Sequence, residues 1–107
     1  MIGTNVARRY ARALLEIGNE TGTLSALVAD VSTLAAAYEE SVDLQRALDN
    51  PLVTHEAKKA ILGEVADRSG VSATAKHALQ LLGDRRRLHA LPAVAQLLRE
   101  MSDAKQA

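Results

Sequence analysis

The stretch LSALVADVSTLAAAYE, residues 24–39, decides the fold class. Leu24, Leu27, Val28, Val31, Leu34, Ala35 and Tyr38 recur at steps of three and four residues. At 3.6 residues per turn those positions form one apolar stripe, so the segment reads as an amphipathic helix from Leu24 to Glu39. No run in the chain alternates apolar and polar residues as a half-buried strand would, and the β-branched residues are scattered.

Working outward, five more helices can be drawn, bounded by residues that start or stop helical geometry. The first runs from about Asn5 to Asn19. Thr4 or Asn5 can cap it, and Gly22 lies where a left-handed terminus is expected. A short third helix spans Val42 to Leu48, after Ser41 and before Asn50-Pro51, because proline disfavours helical geometry in its predecessor. The fourth runs from His55 to Arg68, with Thr54 as cap, Glu56 in its first turn and Gly70 at its end. Ile61, Leu62 and Val65 are its core candidates. The fifth starts after Ser72 or Thr74 and reaches Leu82, with Gly83 as a stop. The sixth covers Leu88 to Asp103, with Pro92 in the first turn, where a missing N–H costs little. Its apolar face is Val94, Leu97, Leu98 and Met101. The expected architecture is all-α, a compact six-helix bundle formed as one domain over residues 1–107, with short connections favouring antiparallel neighbours.

Composition agrees. The 107 residues carry no Phe, Trp or Cys and two Tyr, so Ala, Leu and Val supply the core. Small side chains let helix axes approach closely. Thirteen basic and thirteen acidic residues balance to a formal net charge of zero. That excludes the broad positive field of a general nucleic-acid or anionic-membrane binder. Without cysteine there is no disulfide or thiolate chemistry. No apolar run approaches the ~20 residues that span a bilayer, so direct membrane insertion is not expected. The opening Met1-Ile2-Gly3-Thr4-Asn5 has neither signal-peptide nor transit-peptide character.

The first and fifth helices carry more apolar surface than one core contact needs. On the first, Val6, Ala7, Tyr10, Ala11, Ala13, Leu14, Leu15, Ile17 and Gly18 share an arc roughly 200° wide at 100° per residue. It divides into a half with Ala7, Ala11, Leu14, Leu15 and Gly18 and a half with Val6, Tyr10, Ala13 and Ile17. On the fifth, Ala75, Leu79 and Leu82 make one face, with Thr74, Ala78 and Leu81 beside it. Two readings stand on periodicity alone. Both helices are central in the bundle and buried on several sides, or their second faces border a groove that takes a partner helix. An aromatic ring with a polar tip, such as Tyr10, suits the edge of such a groove.

Several strings resemble the ATP synthase δ subunit family, which includes the mitochondrial oligomycin-sensitivity-conferring protein. They are Val6-Ala7-Arg8-Arg9-Tyr10-Ala11-Arg12-Ala13-Leu14, Leu48-Asp49-Asn50-Pro51, Lys58-Lys59-Ala60-Ile61-Leu62, and Leu79-Gln80-Leu81-Leu82-Gly83-Asp84-Arg85-Arg86-Arg87-Leu88. Together they span essentially the whole chain. The resemblance implies the family's N-terminal domain, a six-helix bundle seated on the F1 catalytic head. It implies a groove between the first and fifth helices that takes the N-terminal helix of an α subunit. The groove role falls on Val6, Tyr10, Ala13 and Ile17, and on Thr74, Ala78 and Leu81. The implied task is mechanical: a non-catalytic stator link in proton-driven ATP synthesis, peripheral to the cytoplasmic side of a bacterial inner membrane. The family's C-terminal domain, which meets the b subunits of the peripheral stalk, is absent from these 107 residues, so stalk contact is not assigned here.

Other signals are weaker. His55, His77 and His89 lack metal-ligand spacing and read as surface or capping residues, and no metal or cofactor is expected. Glu39 and Glu40 are adjacent on a helix and diverge, so they cannot flank one substrate bond. Ser25, Ser32 and Ser41 lack the strand-turn-helix setting of a nucleophile, and no glycine-rich phosphate loop occurs. Arg85-Arg86-Arg87 is a basic run at a helix junction. It is read as a solvated turn, the alternative being a regulatory or nucleic-acid-binding bundle that uses those three charges. Arg8, Arg9 and Arg12 are expected in solvent or in edge contacts with neighbours such as Glu16.

Overall fold

A computed structural model describes residues 4–106. Six α-helices follow in order: α1 (Thr4–Thr21), α2 (Leu24–Glu40), α3 (Val42–Asp49), α4 (His55–Ser69), α5 (Ala73–Asp84) and α6 (Leu91–Gln106). A single 3-10 turn, Leu88–Ala90, leads into α6. No strand occurs among the described residues, and the architecture is an all-α bundle.

Short polar side chains start three of these helices by accepting from first-turn N–H groups that have no partner of their own. Ser41 Oγ accepts from Leu44 at 3.1 Å, Thr54 Oγ1 from Ala57 at 3.1 Å, and Ser72 Oγ from Ala75 at 3.3 Å. Ser72, not Thr74, is therefore the α5 cap. For α1, Thr4 and Asn5 are already helical, so its cap lies outside the described residues. Gly70 closes α4 at φ 71° and Gly22 follows α1 at φ 69°, the left-handed geometry a side chain would resist.

Several expected boundaries move: α1 and α6 run on to Thr21 and Gln106, past Asn19 and Asp103, and two other shifts have a visible cause. Gly83 does not stop α5. It lies inside the helix, where a Cβ would collide with the end of the Leu62 side chain, so the missing side chain serves close packing on α4. The stop comes at Arg86, which takes the left-handed conformation at φ 57°. The Arg87 N–H returns to the Leu82 carbonyl at 2.8 Å and completes the turn. The sixth helix likewise begins later than expected, at Leu91, because Leu88–Ala90 coils more tightly. Pro92 still falls in the first turn.

Side-chain burial follows from how the helices stack. α1 and α2 both lie along α6, and α4 packs on α5. One buried cluster runs through the bundle, with Val31, Leu34, Leu62, Leu82, Val94 and Leu98 among its most enclosed members. Ala7 and Ala11 are fully enclosed on α1, so the small side chains bring that helix close to its neighbours. Gly18 does the same at the α1–α2 junction, where an added Cβ would stand 2.9 Å from the Leu24 Cα. Leu97, Met101 and Val65 pack half-buried against the cluster. Ile61 is also half-buried but lies outside it, on the flank of α4.

Candidate docking groove between α1 and α5

The apolar arc of α1 divides in space along the line its periodicity suggests. Ala7, Ala11, Leu14 and Gly18 are buried and Leu15 is half-buried. Val6 and Tyr10 are half-buried, Ala13 is exposed, and Ile17 is 39% exposed. On α5, Ala75, Leu79 and Leu82 are buried, Thr74 and Ala78 are half-buried, and Leu81 is 41% exposed. The adjacent leucines differ sharply, since Leu82 is only 2% exposed. The two helices are therefore not surrounded by their own bundle. Each spends one face on the core and leaves a second apolar face partly in water.

Those faces flank a shared seam. α1 and α5 do not pack closely on each other; their partners are α6 and α2 on one side and α4 on the other. Between them lies a cavity of about 10 Å³, with Tyr10 and Leu14 on the α1 wall, Ala75 and Ala78 on the α5 wall, and Leu91 and Val94 of α6 below. That is room for about one water, and the lining offers it almost nothing to hydrogen-bond. Of the seven residues expected at the groove, Tyr10 and Ala78 meet at this cavity. Val6, Ala13 and Ile17 lie beside it along α1, and Thr74 and Leu81 along α5, by helix geometry.

Chain direction follows from the ends. The C-terminal turn of α1, at Gly18 and Asn19, shares a surface depression with Lys105 near the end of α6. The 3-10 turn that opens α6 touches both α1 and α5. α1 therefore runs parallel to α6 and antiparallel to α5, whose last residue, Asp84, is four positions before Leu88. Val6 thus shares an end of the groove with Leu81, and Ile17 shares the other with Thr74. Arg8, Arg9, Arg12, Glu16 and Glu20 are all exposed and form no ion pair among the described residues. Of the two expectations for the α1 arginines, exposure to solvent is what the structure shows, and no ion pair with Glu16 occurs among the described residues.

A second, larger cleft, of about 460 Å³, opens where α3, α4 and the α5–α6 turn meet. Its lining includes Tyr38, Leu48, Lys58, Leu62, Arg86 and His89. His55 also borders it, so two histidines far apart in sequence share one depression, while His77 stands elsewhere on α5. All three are exposed, and His55 Nε2 lies 3.1 Å from Asp84 Oδ1. Burial raises the Tyr38 phenol above its ordinary value of 10.0, with a further push from the Asp49 carboxylate. Sequence reasoning does not reach this cleft, because its walls come from four separate segments. Arg85 and Arg86 are exposed and Arg87 is half-buried, so the basic run does not present three equivalent charges.

Comparison with known proteins decides the family. The model of the ATP synthase delta (OSCP) subunit matches residues 6–107. The chain belongs to the ATP synthase delta (OSCP) subunit family. It is 37% identical over 107 residues to ATP synthase subunit delta of Myxococcus xanthus, covering 98% of this chain and 59% of that protein. The Paracoccus denitrificans subunit delta is 37% identical, with 97% of this chain and 56% of that one covered. The subunit delta of Desulfatibacillum aliphaticivorans is 35% identical, covering 96% and 56%. The chain thus spans a little over half the length of these family members. All seven residues expected at the groove fall inside the matched range.

Proposed function

We propose that this chain is the head-docking module of an F-type ATP synthase stator, binding the N-terminal helix of an α subunit in the groove between α1 and α5. One observation carries the reading. Val6, Tyr10, Ala13 and Ile17 on α1, and Thr74, Ala78 and Leu81 on α5, are half-buried or exposed, and Tyr10 and Ala78 meet at the seam between the two helices. A helix laid there buries both strips at once, which is the helix-in-groove mode of recognition. Membership in the delta (OSCP) family supplies the assembly in which such a helix is expected. The role is non-catalytic: a link that keeps the F1 head from turning with the rotor during proton-driven ATP synthesis. A link under load needs slow dissociation, and buried apolar contact supplies it better than edge charges do.

On this reading the domain is one folding unit. The b subunits of the peripheral stalk are reached through the part of the family's chain that these 107 residues do not cover. The module sits on the cytoplasmic side of a bacterial inner membrane as a peripheral part of the F1Fo complex. No described helix is long and apolar enough to cross a membrane.

The test is a titration of the 107-residue chain with a synthetic peptide of the α-subunit N-terminus, followed by amide chemical shifts because there is no tryptophan to report. Saturable shifts concentrated at Val6, Tyr10, Ala13, Ala78 and Leu81 are expected. A folded, monomeric chain that shows no shifts at high peptide concentration would sink the groove assignment.

A further inference from the structure

The cleft beside α4 has two chemically different walls. α4 and the α5–α6 turn supply the basic side chains Lys58, His55, Arg86 and His89. α2, α3 and the loop after it supply Tyr38, Leu48 and Val53, with Asp49 as the one carboxylate on the lining. Leu62 and Leu88 also line it and are buried, so the cleft reaches down to the core.

Helix geometry sorts the charges of α4. Thr54, His55, Lys58 and Leu62 fall within an arc of about 100° and line the cleft. Glu56 and Lys59 turn to a different depression, so the first-turn acid is kept off the cleft wall. Arg86 lines the cleft from the left-handed turn that ends α5, while Arg85 before it does not. His55 is engaged by Asp84 at 3.1 Å, but half-buried Lys58 and exposed Arg86 form no ion pair among the described residues.

We infer that this cleft binds a small phosphate monoester with an apolar or aromatic body, the phosphate against Lys58 and Arg86 and the body against Leu48, Val53 and Tyr38. The volume of about 460 Å³ lies within the roughly 300–1,000 Å³ of small-molecule sites, and apolar walls with a few converging polar groups are their usual lining. The chain's formal net charge is zero, so it offers no broad field to a membrane or a nucleic acid. Positive charge converging in one concavity suits a small anion instead. Two unpaired cations from different elements match a phosphate monoester, which carries about −1.5 to −2 near neutral pH, better than a carboxylate of single charge. Burial keeps the Tyr38 phenol protonated, so its O–H remains a donor on the opposite wall. None of the seven residues expected at the α1–α5 groove lines the cleft, so the inference stands apart from the docking reading.

The test is a titration of the isotope-labelled 107-residue chain with phenyl phosphate, inorganic phosphate and benzoate in turn, read by amide chemical shifts. Phenyl phosphate should give saturable shifts at Thr54, Lys58 and Arg86 together with Leu48. Inorganic phosphate should move only the basic wall, and more weakly. Lys58→Gln should weaken phenyl phosphate binding about five- to ten-fold, Lys58→Arg should restore it, and Lys59→Gln, the same charge change on the other face, should leave it intact. Arg86→Gly should weaken it similarly, and because glycine relieves the left-handed backbone, that loss cannot be ascribed to unfolding. Absence of saturable shifts with phenyl phosphate at about 20 mM, a concentration that would reveal even millimolar affinity, overturns the site. Equal weakening by Lys59→Gln and Lys58→Gln overturns it too, since binding would then follow overall charge. Benzoate binding as tightly as phenyl phosphate overturns the phosphate assignment.

Discussion

Leu81 and Leu82 are chemically identical neighbours on α5 that the fold uses for different purposes, and truncating each should separate them. Leu82 is 2% exposed, deep among the core leucines. Leu82→Ala leaves a cavity and should cost about 2–5 kcal/mol. Leu81 is already 41% exposed, so Leu81→Ala loses only part of a leucine's burial, about 1 kcal/mol. For a domain of about this length 1 kcal/mol is worth roughly 4–8 °C in Tm. Leu82→Ala should therefore lower Tm by upwards of about 10 °C and Leu81→Ala by only a few degrees, read by helical circular dichroism. Docking should reverse the order. Leu81→Asp replaces apolar contact with an unpaired charge in the occupied groove and should weaken peptide binding more than about ten-fold while the fold survives. If Leu81→Ala destabilises as much as Leu82→Ala, the second face of α5 is ordinary core. If Leu81→Asp binds peptide normally, the groove lies elsewhere.

Three further outcomes follow from particular contacts. Gly18→Ala puts a Cβ 2.9 Å from the Leu24 backbone, and the overpacking, about 1–3 kcal/mol, should outweigh a helix-propensity gain of at most about 1 kcal/mol, giving a lower urea midpoint. Arg86→Gly removes a left-handed penalty of about 1–2 kcal/mol and adds unfolded-chain entropy of roughly half that, so the midpoint should rise modestly. The Tyr38 phenol is raised in the folded state by burial and then by Asp49, so its contribution is fully present below pH 10 and is lost as pH climbs through the folded value. Stability should decline above about pH 10, and Tyr38→Phe should flatten that decline in denaturation curves taken across the alkaline range.

Much of the helix pattern is legible in the residues because local rules decide it. The spacing from Leu24 to Tyr38 permits only a helical stripe, and Ser41, Thr54 and Ser72 cap through bonds that reach three residues. The one glycine misread is Gly83. Local rules treat a glycine after an apolar turn as a stop, whereas its missing side chain makes room for Leu62, more than twenty positions away. Arg86 ends α5 instead, and nothing in its residue type announces a left-handed conformation. The start of α6 moved for a similarly local but unsignalled reason, the tighter coiling of Leu88–Ala90. The 460 Å³ cleft was not legible at all, since proximity of Tyr38, Lys58, Arg86 and His89 is a product of packing.

For the groove the division is finer. That α1 and α5 each have two apolar faces follows from residue identity and spacing, which set the width of an arc whatever the surroundings. The same pattern could not determine whether the second faces are covered, since burial depends on which helices come to lie alongside. Tertiary structure decided that α6, α2 and α4 cover only the first faces, and that α1 and α5 run antiparallel across the seam. Faces on helices distant in sequence border a common seam only when the fold brings those helices together.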